Sequence, residues 1–332
     1  MEAIDFVITW VDPTDTEWQK EKAKYSSPEI TAANSEVRYR DWENLKYWFR
    51  GVEKFAPWVN KIHFVTYGHI PHWLNTQHPK LNIVNHSDFI PKEYLPTFSS
   101  NPIELNLHRI KDLRENFVYF NDDIFITAPV SPDFFFKKGL PRDNVALDSI
   151  FFGKDSAGFF NGADITLINK NFDKRRSIRK NLKIWLSPKN GIKNIIRTFL
   201  LSPWPWFPGI YYQHGANSFN KKTFSTLWEM EYEALSETCT HKFRKTGDTN
   251  QWLMKFWQIA EGKVSVRSGR HIRCFHIKEG NFSCVCQSIE QGRYKILCIN
   301  DTSVTTDFEN KKKRVIEAFE RLLPETSSFE KW

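Results

Sequence analysis

The sequence predicts an α/β fold: a Rossmann-like, mainly parallel sheet with a helical insertion near the middle of the chain. Short apolar runs rich in β-branched and aromatic residues alternate with helical patterns, and the links between them are short. Two of these runs end in acidic residues, which suits the carboxyl edge of a parallel sheet, where ligands bind. With 332 residues, 40% of them hydrophobic, the chain is long and apolar enough to bury such a core.

The first predicted strand, residues 5–11, runs into an acidic loop of sequence DPTD. A loop at the carboxyl end of a first strand is well placed to contact a ligand, so Asp12 and Asp15 are site candidates. A plain Asp-Pro turn explains the same residues, and the pattern does not choose between the two. We expect the polar residues 17–35 to form a loop or a frayed helix.

The next element is an amphipathic helix, predicted over residues 38–55 from apolar side chains at helical spacing. Arg38 and Arg40 fall near its start, where basic side chains oppose the helix dipole. A nearby anionic ligand would compensate for that charge, while solvated arginines are the alternative. Two strands and a short helix are then predicted at residues 61–66, 81–85 and 71–74, respectively.

A further helix is predicted within residues 96–110, after a pair of serines. It carries Glu104, His108 and Arg109. Because Glu104 and His108 are four residues apart, they would share one face of the helix. The stretch that follows this helix is the most informative one of the chain.

This stretch reads FVYFNDDIFITAPV at residues 117–130. A buried strand ends in Asn121, Asp122 and Asp123, and a second apolar run follows at once. Two adjacent carboxylates between buried strands are costly unless a positive charge lies against them. A hard divalent cation, Mg²⁺ or Mn²⁺, would meet that need and leave coordination positions for phosphate. A tight Asn-Asp turn facing water is the alternative.

The charge balance favours an anionic partner. The chain has 47 Lys and Arg residues against 39 Asp and Glu residues, a formal net charge of +8. A nucleotide-linked substrate, a phosphorylated polymer, nucleic acid and an acidic membrane face all suit that excess. Acidic residues are interleaved with the basic ones, which argues against nucleic acid.

The five cysteines and the N-terminal sequence predict a cytoplasmic protein with reduced thiols. The first residues have no basic segment typical of a signal peptide, and no run approaches the ~20 apolar residues of a membrane span. Buried structural thiols are the expected role of the cysteines. The alternative is a zinc site formed by Cys274, His276, Cys284 and Cys286.

Residues 169–209 predict a basic amphipathic helical insertion that includes the cluster WPW. It would lie on an anionic membrane at the inner face of the cell, line a groove for a lipid-linked or polymeric acceptor, or pack against the core. We expect it to divide a nucleotide-sugar-binding core, residues 1–168, from the second part of the catalytic core, residues 210–332. A last helix is predicted over residues 308–323.

Several long motifs occur together and in a fixed order. They are TWVDPTD, RYRDWENLKYWFRGVEKFAPWVNKIHFVT, IPHWLN, LPTFSS, IELNLHRI and FVYFNDDIF, followed by YYQHGANS, FRKTGDTNQWL and ILCIND. In this order they resemble the Stealth family, which includes bacterial polysaccharide hexose-1-phosphate transferases and the animal N-acetylglucosamine-1-phosphotransferase. The resemblance covers most of the chain except roughly residues 169–208.

The resemblance implies transfer of hexose-1-phosphate, or N-acetylhexosamine-1-phosphate, from a UDP-sugar to a sugar hydroxyl. UMP would be released, and the phosphodiester would belong to a bacterial capsule or another cell-surface polysaccharide. The implied fold is comparable to that of GT-A nucleotide-sugar glycosyltransferases. A metal-dependent glycosyltransferase that releases UDP is one alternative, and a non-catalytic carbohydrate-binding protein is another.

By similarity, four positions match residues considered essential in the animal enzyme: Glu104, Asp123, His214 and Arg244. Arg244 would clamp the diphosphate because a guanidinium binds two phosphate oxygens at once. His214 would be the general base, with Glu104 as the alternative. Mg²⁺ or Mn²⁺ would bind Asp123 with support from Asp122. The expected substrate-binding residues are Asp12, Asp15, Arg38, Arg109, Asn121, Lys245, Asn300 and Asp301.

Overall fold

The computed structural model describes residues 2–26, 39–152, 158–301 and 306–331. Its strands are β1 (Ile4–Thr9), β2 (Ile62–Thr66), β3 (Leu81–Asn85), β4 (Asn116–Phe120), β5 (Ile124–Ile126), β6 (Phe136–Lys137), β7 (Leu140–Asp143), β8 (Asn217–Asn220), β9 (Ser265–Val266), β10 (Ile272–His276) and β11 (Ile296–Asn300). Its α-helices are α1 (Thr16–Tyr25), α2 (Leu45–Phe55), α3 (His86–Phe89), α4 (Ser100–Asn106), α5 (Pro132–Phe135), α6 (Gly158–Asn171), α7 (Lys174–Lys180), α8 (Leu182–Trp185), α9 (Ile192–Leu201), α10 (Lys221–Met230), α11 (Tyr232–Thr240), α12 (Gln251–Glu261), α13 (Phe282–Glu290) and α14 (Phe308–Leu322).

The central sheet has five strands in the order β3-β2-β1-β4-β8. Parallel pairing joins β3 to β2, β2 to β1 and β1 to β4, and β8 pairs with β4 in the antiparallel direction. This topology confirms the predicted α/β fold with a mainly parallel sheet. The strand predicted at residues 81–85 is β3, and the other predicted strands of this sheet agree with the structure to within two residues.

A second sheet has the order β10-β11-β5, with β10 and β11 parallel and β5 antiparallel to β11. Residues 121–123 therefore connect a strand of one sheet to a strand of the other. A small third sheet contains β6, β7 and β9. The site residues between β4 and β5 consequently lie where the first two sheets meet.

The core lies on both faces of the central sheet because successive side chains of a strand point to opposite faces. Phe6 of β1 and Phe120 of β4 belong to one apolar cluster, which also contains Trp48 of α2. Val7 of β1 and Tyr119 of β4 belong to the other cluster, which is covered in part by α12. The sheet is thus enclosed by helices on both sides, as expected for parallel strands.

Two sequence-based expectations for local structure are wrong. The amphipathic helix predicted from residue 38 begins at Leu45, because Glu43 has φ +53° and interrupts the helical conformation. In the segment 17–35, expected to be a loop or a frayed helix, the described part forms the helix α1, which Asp15 caps by accepting from Trp18 N, and residues 27–35 lie outside the described residues. The residues expected to form a short helix from Pro71 form a turn, and Leu74 pairs with Glu330 in an isolated bridge.

The insertion predicted over residues 169–209 is helical, but it is divided into α7, α8 and α9. Asn181 lies between α7 and α8, and Gly191, with φ +83°, directly precedes α9. The final helix, α14, ends one residue before its predicted end. In the ranges that the structure describes, we find no helix with both the length and the apolar character needed to cross a bilayer.

Candidate active site

Parallel pairing of β1 and β4 brings the carboxyl ends of both strands to the same edge of the central sheet, with Ile8 opposite Phe120. The loop after β4 contains Asp122 and Asp123. Its exit is fixed to the second sheet because Ile299 N donates to the carbonyl oxygen of Asp123 at 2.9 Å. The acidic loop is therefore held at both ends by strand pairing.

The two carboxylate oxygens of Asp123 have different surroundings. Oδ2 accepts from the Cys298 thiol at 3.3 Å and lies 3.8 Å from Nε2 of His214. Oδ1 is buried and has no hydrogen-bond partner among the described residues. A buried carboxylate oxygen without a donor carries the full cost of desolvation, so it is a natural position for a cation.

His214 lies beside Asp123 because the chain packs tightly just after it. A Cβ atom on Gly215 would meet Cγ2 of Ile272 at 2.8 Å, so only glycine lets this segment approach β10 so closely. The His214 side chain is 32% exposed. Burial lowers the pKa of His214, but the proximity and negative charge of Asp123 outweigh that effect and raise the pKa above its ordinary value.

Glu104 is buried within the same region. Ser99 caps the helix α4 that carries it, by accepting from Asn101 N. Its Oε1 accepts from the Tyr119 hydroxyl and from Nε2 of Gln251, each at 3.4 Å, and its Oε2 accepts from Gln251 N at 3.3 Å. Burial raises the pKa of Glu104, and the Arg244 charge opposes that shift.

The side chain of Arg244 reaches the start of α4, where its Nη2 donates to Oγ of Ser100 at 2.7 Å. Its charge acts on Glu104, and Glu104 in turn acts on His214, which lies beside Asp123. The structure therefore brings together the four residues named first by the sequence. They come from three distant parts of the chain and surround one region at the carboxyl edge of the sheet.

Asp122 and Asp41 add negative charge to this edge. Part of the Asp122 side chain is exposed to solvent, but protein atoms are dense around its carboxylate. Desolvation, together with the negative charges of Asp123 and Asp41, raises the pKa of Asp122 to about 7. Burial also raises the pKa of Asp41, and the negative charges of Glu43 and Asp12 contribute to that rise. Carboxyl groups with raised pKa values at one edge indicate a place where positive charge would be stabilising.

The residues present fit a divalent cation. The buried Oδ1 of Asp123, which has no donor among the described residues, is an oxygen ligand of the kind that Mg²⁺ and Mn²⁺ prefer. Asp122 is the adjacent carboxylate in the chain, but it is not in the cluster of possible ligand atoms around Asp123. His214 and Cys298 each place a further ligand atom within 4.8 Å of Asp123. Burial raises the pKa of the Cys298 thiol well above its ordinary value. Mg²⁺ and Mn²⁺ prefer oxygen ligands to sulfur, so the carboxylates are the primary ligand candidates.

Comparison with known proteins identifies the family. Models of Stealth protein conserved regions 1 and 2 match residues 2–27 and 38–143, respectively. The capsular polysaccharide phosphotransferase WcwK of Streptococcus pneumoniae is 40% identical over 333 residues, which is 100% of this chain and 99% of that protein. The receptor polysaccharide phosphotransferase WefC of Streptococcus oralis is 42% identical over 99% of this chain and 100% of its own length.

The chain belongs to the Stealth family. The resemblance drawn from the motifs is thereby confirmed, and the chain is an enzyme of the transferase class. The exopolysaccharide phosphotransferase cps2G of Lactiplantibacillus plantarum is also similar, at 36% identity over 99% of this chain. A solved structure of the galactosyltransferase LgtC overlaps 98% of the chain with a TM-score of 0.41 and 13% identity, too weak a likeness to add to the topology described above.

In this Stealth protein, Asp12 and Asp15 have local structural contacts at the site edge. Oδ1 of Asp12 accepts from the backbone N and hydroxyl of Thr14, and Asp15 caps α1. Both residues also contact His69, through Asp12 N at 2.8 Å and Oδ2 of Asp15 at 3.8 Å. The turn interpretation therefore describes their side chains, while the charge of Asp12 still reaches Asp41.

The end of β11 also reaches this edge. Oδ2 of Asp301 lies 3.3 Å from Nη1 of Arg40 and 3.3 Å from Nε1 of Trp42. Asn300 is opposite His276 in the parallel pair of β10 and β11, and its carbonyl oxygen accepts from Ile277 N. Asn121, in the loop after β4, donates to the Tyr119 hydroxyl at 3.4 Å.

Three further residues are predicted to contact the substrate: Arg38, Arg109 and Lys245. Arg38 lies outside the described residues. Arg109 is exposed and lies over the ring of Trp228, 4.9 Å from its centroid, rather than beside Glu104. Lys245 is exposed next to Arg244, with its Nζ 3.5 Å from Nε2 of His241.

Glu104 and His108 do not lie on one α-helix, contrary to the prediction that they share a helix face. The helix α4 ends at Asn106 and tightens into a 3-10 turn, which changes the direction of the next side chains. His108 packs on Phe224, and burial together with the positive charge of Arg109 lowers its pKa to about 3.

The zinc alternative does not form among the described residues. Cys284 is exposed and Cys286 is buried, both on α13. The Cys274 thiol instead donates a hydrogen bond to Sγ of Cys298, with a distance of 3.4 Å between the two sulfur atoms. All five cysteines are free, in line with the expected reduced thiols.

Sequence reasoning missed four residues of the site. Tyr119 and Cys298 lie in runs that read as buried strands, so their polar atoms were hidden by the apolar pattern. Gln251 opens α12, and Asp41 precedes α2. All four lie inside the motifs quoted above, and this is the feature of the sequence that could have identified them.

Proposed function

We propose that this protein transfers hexose-1-phosphate, or N-acetylhexosamine-1-phosphate, from a UDP-sugar to a sugar hydroxyl and releases UMP. The product would be a phosphodiester in a bacterial capsule or another cell-surface polysaccharide. Relatives named capsular, receptor and exopolysaccharide phosphotransferases support this proposal. The observation that carries it is the convergence of Asp123, His214, Glu104 and Arg244 at one edge of the sheet.

The reaction that these residues suit is attack of the acceptor hydroxyl on the β-phosphorus of the donor. A new P–O bond forms to the acceptor, and the bond from the β-phosphorus to the bridging oxygen breaks, so UMP carries away the α-phosphate. Such a transfer depends on positioning, on neutralising the phosphoryl oxygens and on a base for the hydroxyl proton. Arg244, fixed by Ser100, supplies a planar donor group for two phosphate oxygens.

His214 is the better candidate for the general base. Its side chain is 32% exposed, whereas Glu104 is 4% exposed and already accepts from Tyr119 and Gln251. A base must come within hydrogen-bonding distance of the acceptor hydroxyl, which favours the more accessible group. In this proposal Glu104 orients Arg244 and donor-sugar hydroxyls.

Asp123 and Asp122 would hold Mg²⁺ or Mn²⁺. The bound cation would neutralise charge on the diphosphate. Support comes from Oδ1 of Asp123, which has no partner among the described residues, and from the raised pKa of Asp122. The donor would thus lie between the carboxylates on one side and Arg244 on the other.

The acceptor is proposed to be a saccharide, presented either free or on a lipid, and the protein is proposed to work in the cytoplasm. The natural test is a UMP-release assay across a panel of UDP-hexoses and UDP-N-acetylhexosamines, with a saccharide acceptor from a phosphodiester-linked capsule. UMP release that EDTA abolishes and added Mg²⁺ or Mn²⁺ restores is the expected result. Release of UDP with every active donor would instead identify a metal-dependent glycosyltransferase and overturn the proposal.

A further inference from the structure

The helix α9 has its polar side turned toward the protein and its apolar side turned toward solvent. Thr198 is its buried residue, while Ile192, Ile196, Phe199 and Leu200 are exposed. These four lie at spacings of four, three and one, which places them on one face of the helix. A helix that only packed on the core would show the opposite arrangement.

Polar contacts fix this orientation. Oγ1 of Thr198 accepts from Leu147 N at 3.1 Å, and Nδ2 of Asn194 donates to Oδ1 of Asn144 at 2.6 Å. Nζ of the buried Lys174 donates to the carbonyl oxygens of residues 201 and 202 at the end of the helix. Rotating α9 to hide its apolar face would leave these buried groups without partners, which is costly.

The exposed face consists of large apolar side chains. Exposed fractions are 70% for Ile192, 51% for Ile196, 58% for Phe199 and 68% for Leu200. The segment that follows the helix adds two more exposed large side chains, Trp204 at 55% and Trp206 at 61%. A contiguous apolar surface marks an interaction site. We call these six residues the α9 face.

Positive charge is concentrated in the same part of the chain. Residues 169–209 hold ten of the 47 Lys and Arg residues and one of the 39 Asp and Glu residues, so the rest of the chain has 37 basic and 38 acidic residues. The whole net charge of the protein thus belongs to the insertion. Its exposed basic residues are Lys170, Arg175, Arg176, Arg179, Lys180, Lys183, Lys189 and Lys193.

We propose that the α9 face docks on the surface of an anionic lipid bilayer. The helix would lie in the plane of the interface, with its apolar side chains among the acyl chains and the surrounding lysines and arginines against the headgroups. Trp204 and Trp206 suit this position because indole rings favour the boundary between apolar and wet surroundings.

A second copy of the chain is a poorer occupant of this face. A symmetric dimer would place the same patch on both subunits, so the net positive insertions of two copies would face each other. A neutral protein surface would leave the charge excess without a complement. An anionic bilayer satisfies the apolar face and the charge together, and it would bring the enzyme to lipid-linked substrates.

Co-sedimentation with vesicles tests the proposal on the full chain. We compare vesicles of phosphatidylcholine alone with vesicles that also contain phosphatidylglycerol. Partitioning at least about tenfold stronger on the anionic vesicles, and weakened by salt, is expected. The double variant Phe199→Ser/Leu200→Ser should lose most of this binding, and Lys189→Glu/Lys193→Glu should bring it close to the level of neutral vesicles.

Matched controls carry the same changes at exposed sites outside the insertion. Met230→Ser/Leu140→Ser removes two exposed apolar side chains, and Lys92→Glu/Lys111→Glu reverses two exposed charges. Both should bind anionic vesicles like the wild type. Thermal unfolding of each variant verifies that it is folded.

Equal binding to neutral and anionic vesicles, or binding to neither, would overturn the proposal. Light scattering without lipid provides an independent reading. A wild-type dimer that Phe199→Ser/Leu200→Ser converts to a monomer would assign the α9 face to self-association and overturn membrane docking. A monomer in both cases supports it. UMP release from soluble substrates is unaffected by either result, so this test is separate from that of the proposed function.

Discussion

In the proposed function, Asp123 is the residue on which the chemistry depends most. Its Oδ2 accepts from Cys298 and lies near His214, while its Oδ1 is buried and has no donor among the residues that the structure describes. With this asymmetry, one carboxylate could hold a cation on Oδ1 and orient the His214 imidazole through Oδ2, as the proposed function requires.

Asp123→Asn should lower the rate of UMP release by about 100-fold or more, because the amide replaces a charged oxygen with a neutral group. The fold should persist, since the backbone contact with Ile299 is unchanged. UMP release and thermal unfolding measure the two effects, and Asp133→Asn, at an exposed position, is the matched control. Near-normal activity in Asp123→Asn would contradict the assignment.

Arg244 should not tolerate even a conservative change. Arg244→Lys keeps the positive charge but loses the planar fork, so we expect a loss of at least about tenfold in turnover, and Arg244→Ala a loss of about 100-fold or more. Steady-state kinetics of UMP release would show the ranking. Full activity in Arg244→Lys would mean that only a point charge is needed there. Lys245→Ala, at the exposed neighbour, should have the smaller effect.

Asp122 should make stability depend on pH. Its pKa in the folded state is about 7, above the ordinary 3.8, so the folded state binds more protons than the unfolded state between these values. The free energy of unfolding therefore falls as pH rises through that window. In metal-free buffer, Asp122→Asn should melt at a higher temperature than the wild type at about pH 8 and at a similar temperature at about pH 4. A pH-independent difference would contradict this.

At the residue scale, the sequence predicts the charged members of the site better than their supports. Asp123 is conspicuous because it lies between two apolar runs, whereas His214 and Arg244 are predicted only through the resemblance of their motifs to the Stealth family. Tyr119 and Cys298 are not identified, since a polar atom on a buried strand residue leaves no mark in the hydrophobic pattern. Their roles depend on which loop the strand places against them.

At the scale of elements, strands are predicted well and helix starts less well. The strands of the parallel sheet are short apolar runs whose limits follow directly from composition. The start of α2 depends on the positive φ of Glu43, and the breaks in the insertion depend on local turns at Asn181 and Gly191. Helical periodicity continues across such points, so it does not reveal them.

The packing of α2 on β5 controls the far side of the acidic loop. A Cβ atom on Gly51 would meet the carbonyl oxygen of Ile126 at 2.5 Å. Gly51→Ala should therefore force helix and strand apart and lower the free energy of unfolding by about 1–3 kcal/mol.

Chemical denaturation would measure the effect of Gly51→Ala, with Gly280→Ala as the control, because the added methyl group at Gly280 meets no atom within 4 Å. Activity should fall in Gly51→Ala as well, since β5 follows Asp123 directly. Equal stabilities of the two variants would show that the α2–β5 contact is looser than described.

At the scale of the whole molecule, the site exists because two sheets meet at one loop. The pairing of β5 with β11 joins residues more than 150 positions apart, and β8 adds an antiparallel edge strand from beyond the insertion. Sequence patterns give no pairing partner over such distances. The α/β class was therefore predictable, whereas the second sheet that fixes Asp123 and Cys298 was not.

The proposed function requires that the β-phosphorus of the donor, and not only its sugar, moves to the acceptor. The most direct measurement uses a UDP-sugar labelled with radioactive phosphorus at the β position, incubated with the enzyme, acceptor and Mg²⁺ or Mn²⁺. We predict that the label enters the acceptor in a phosphodiester and that the released UMP is unlabelled. Label recovered in UDP, with none in the polysaccharide, would contradict the account.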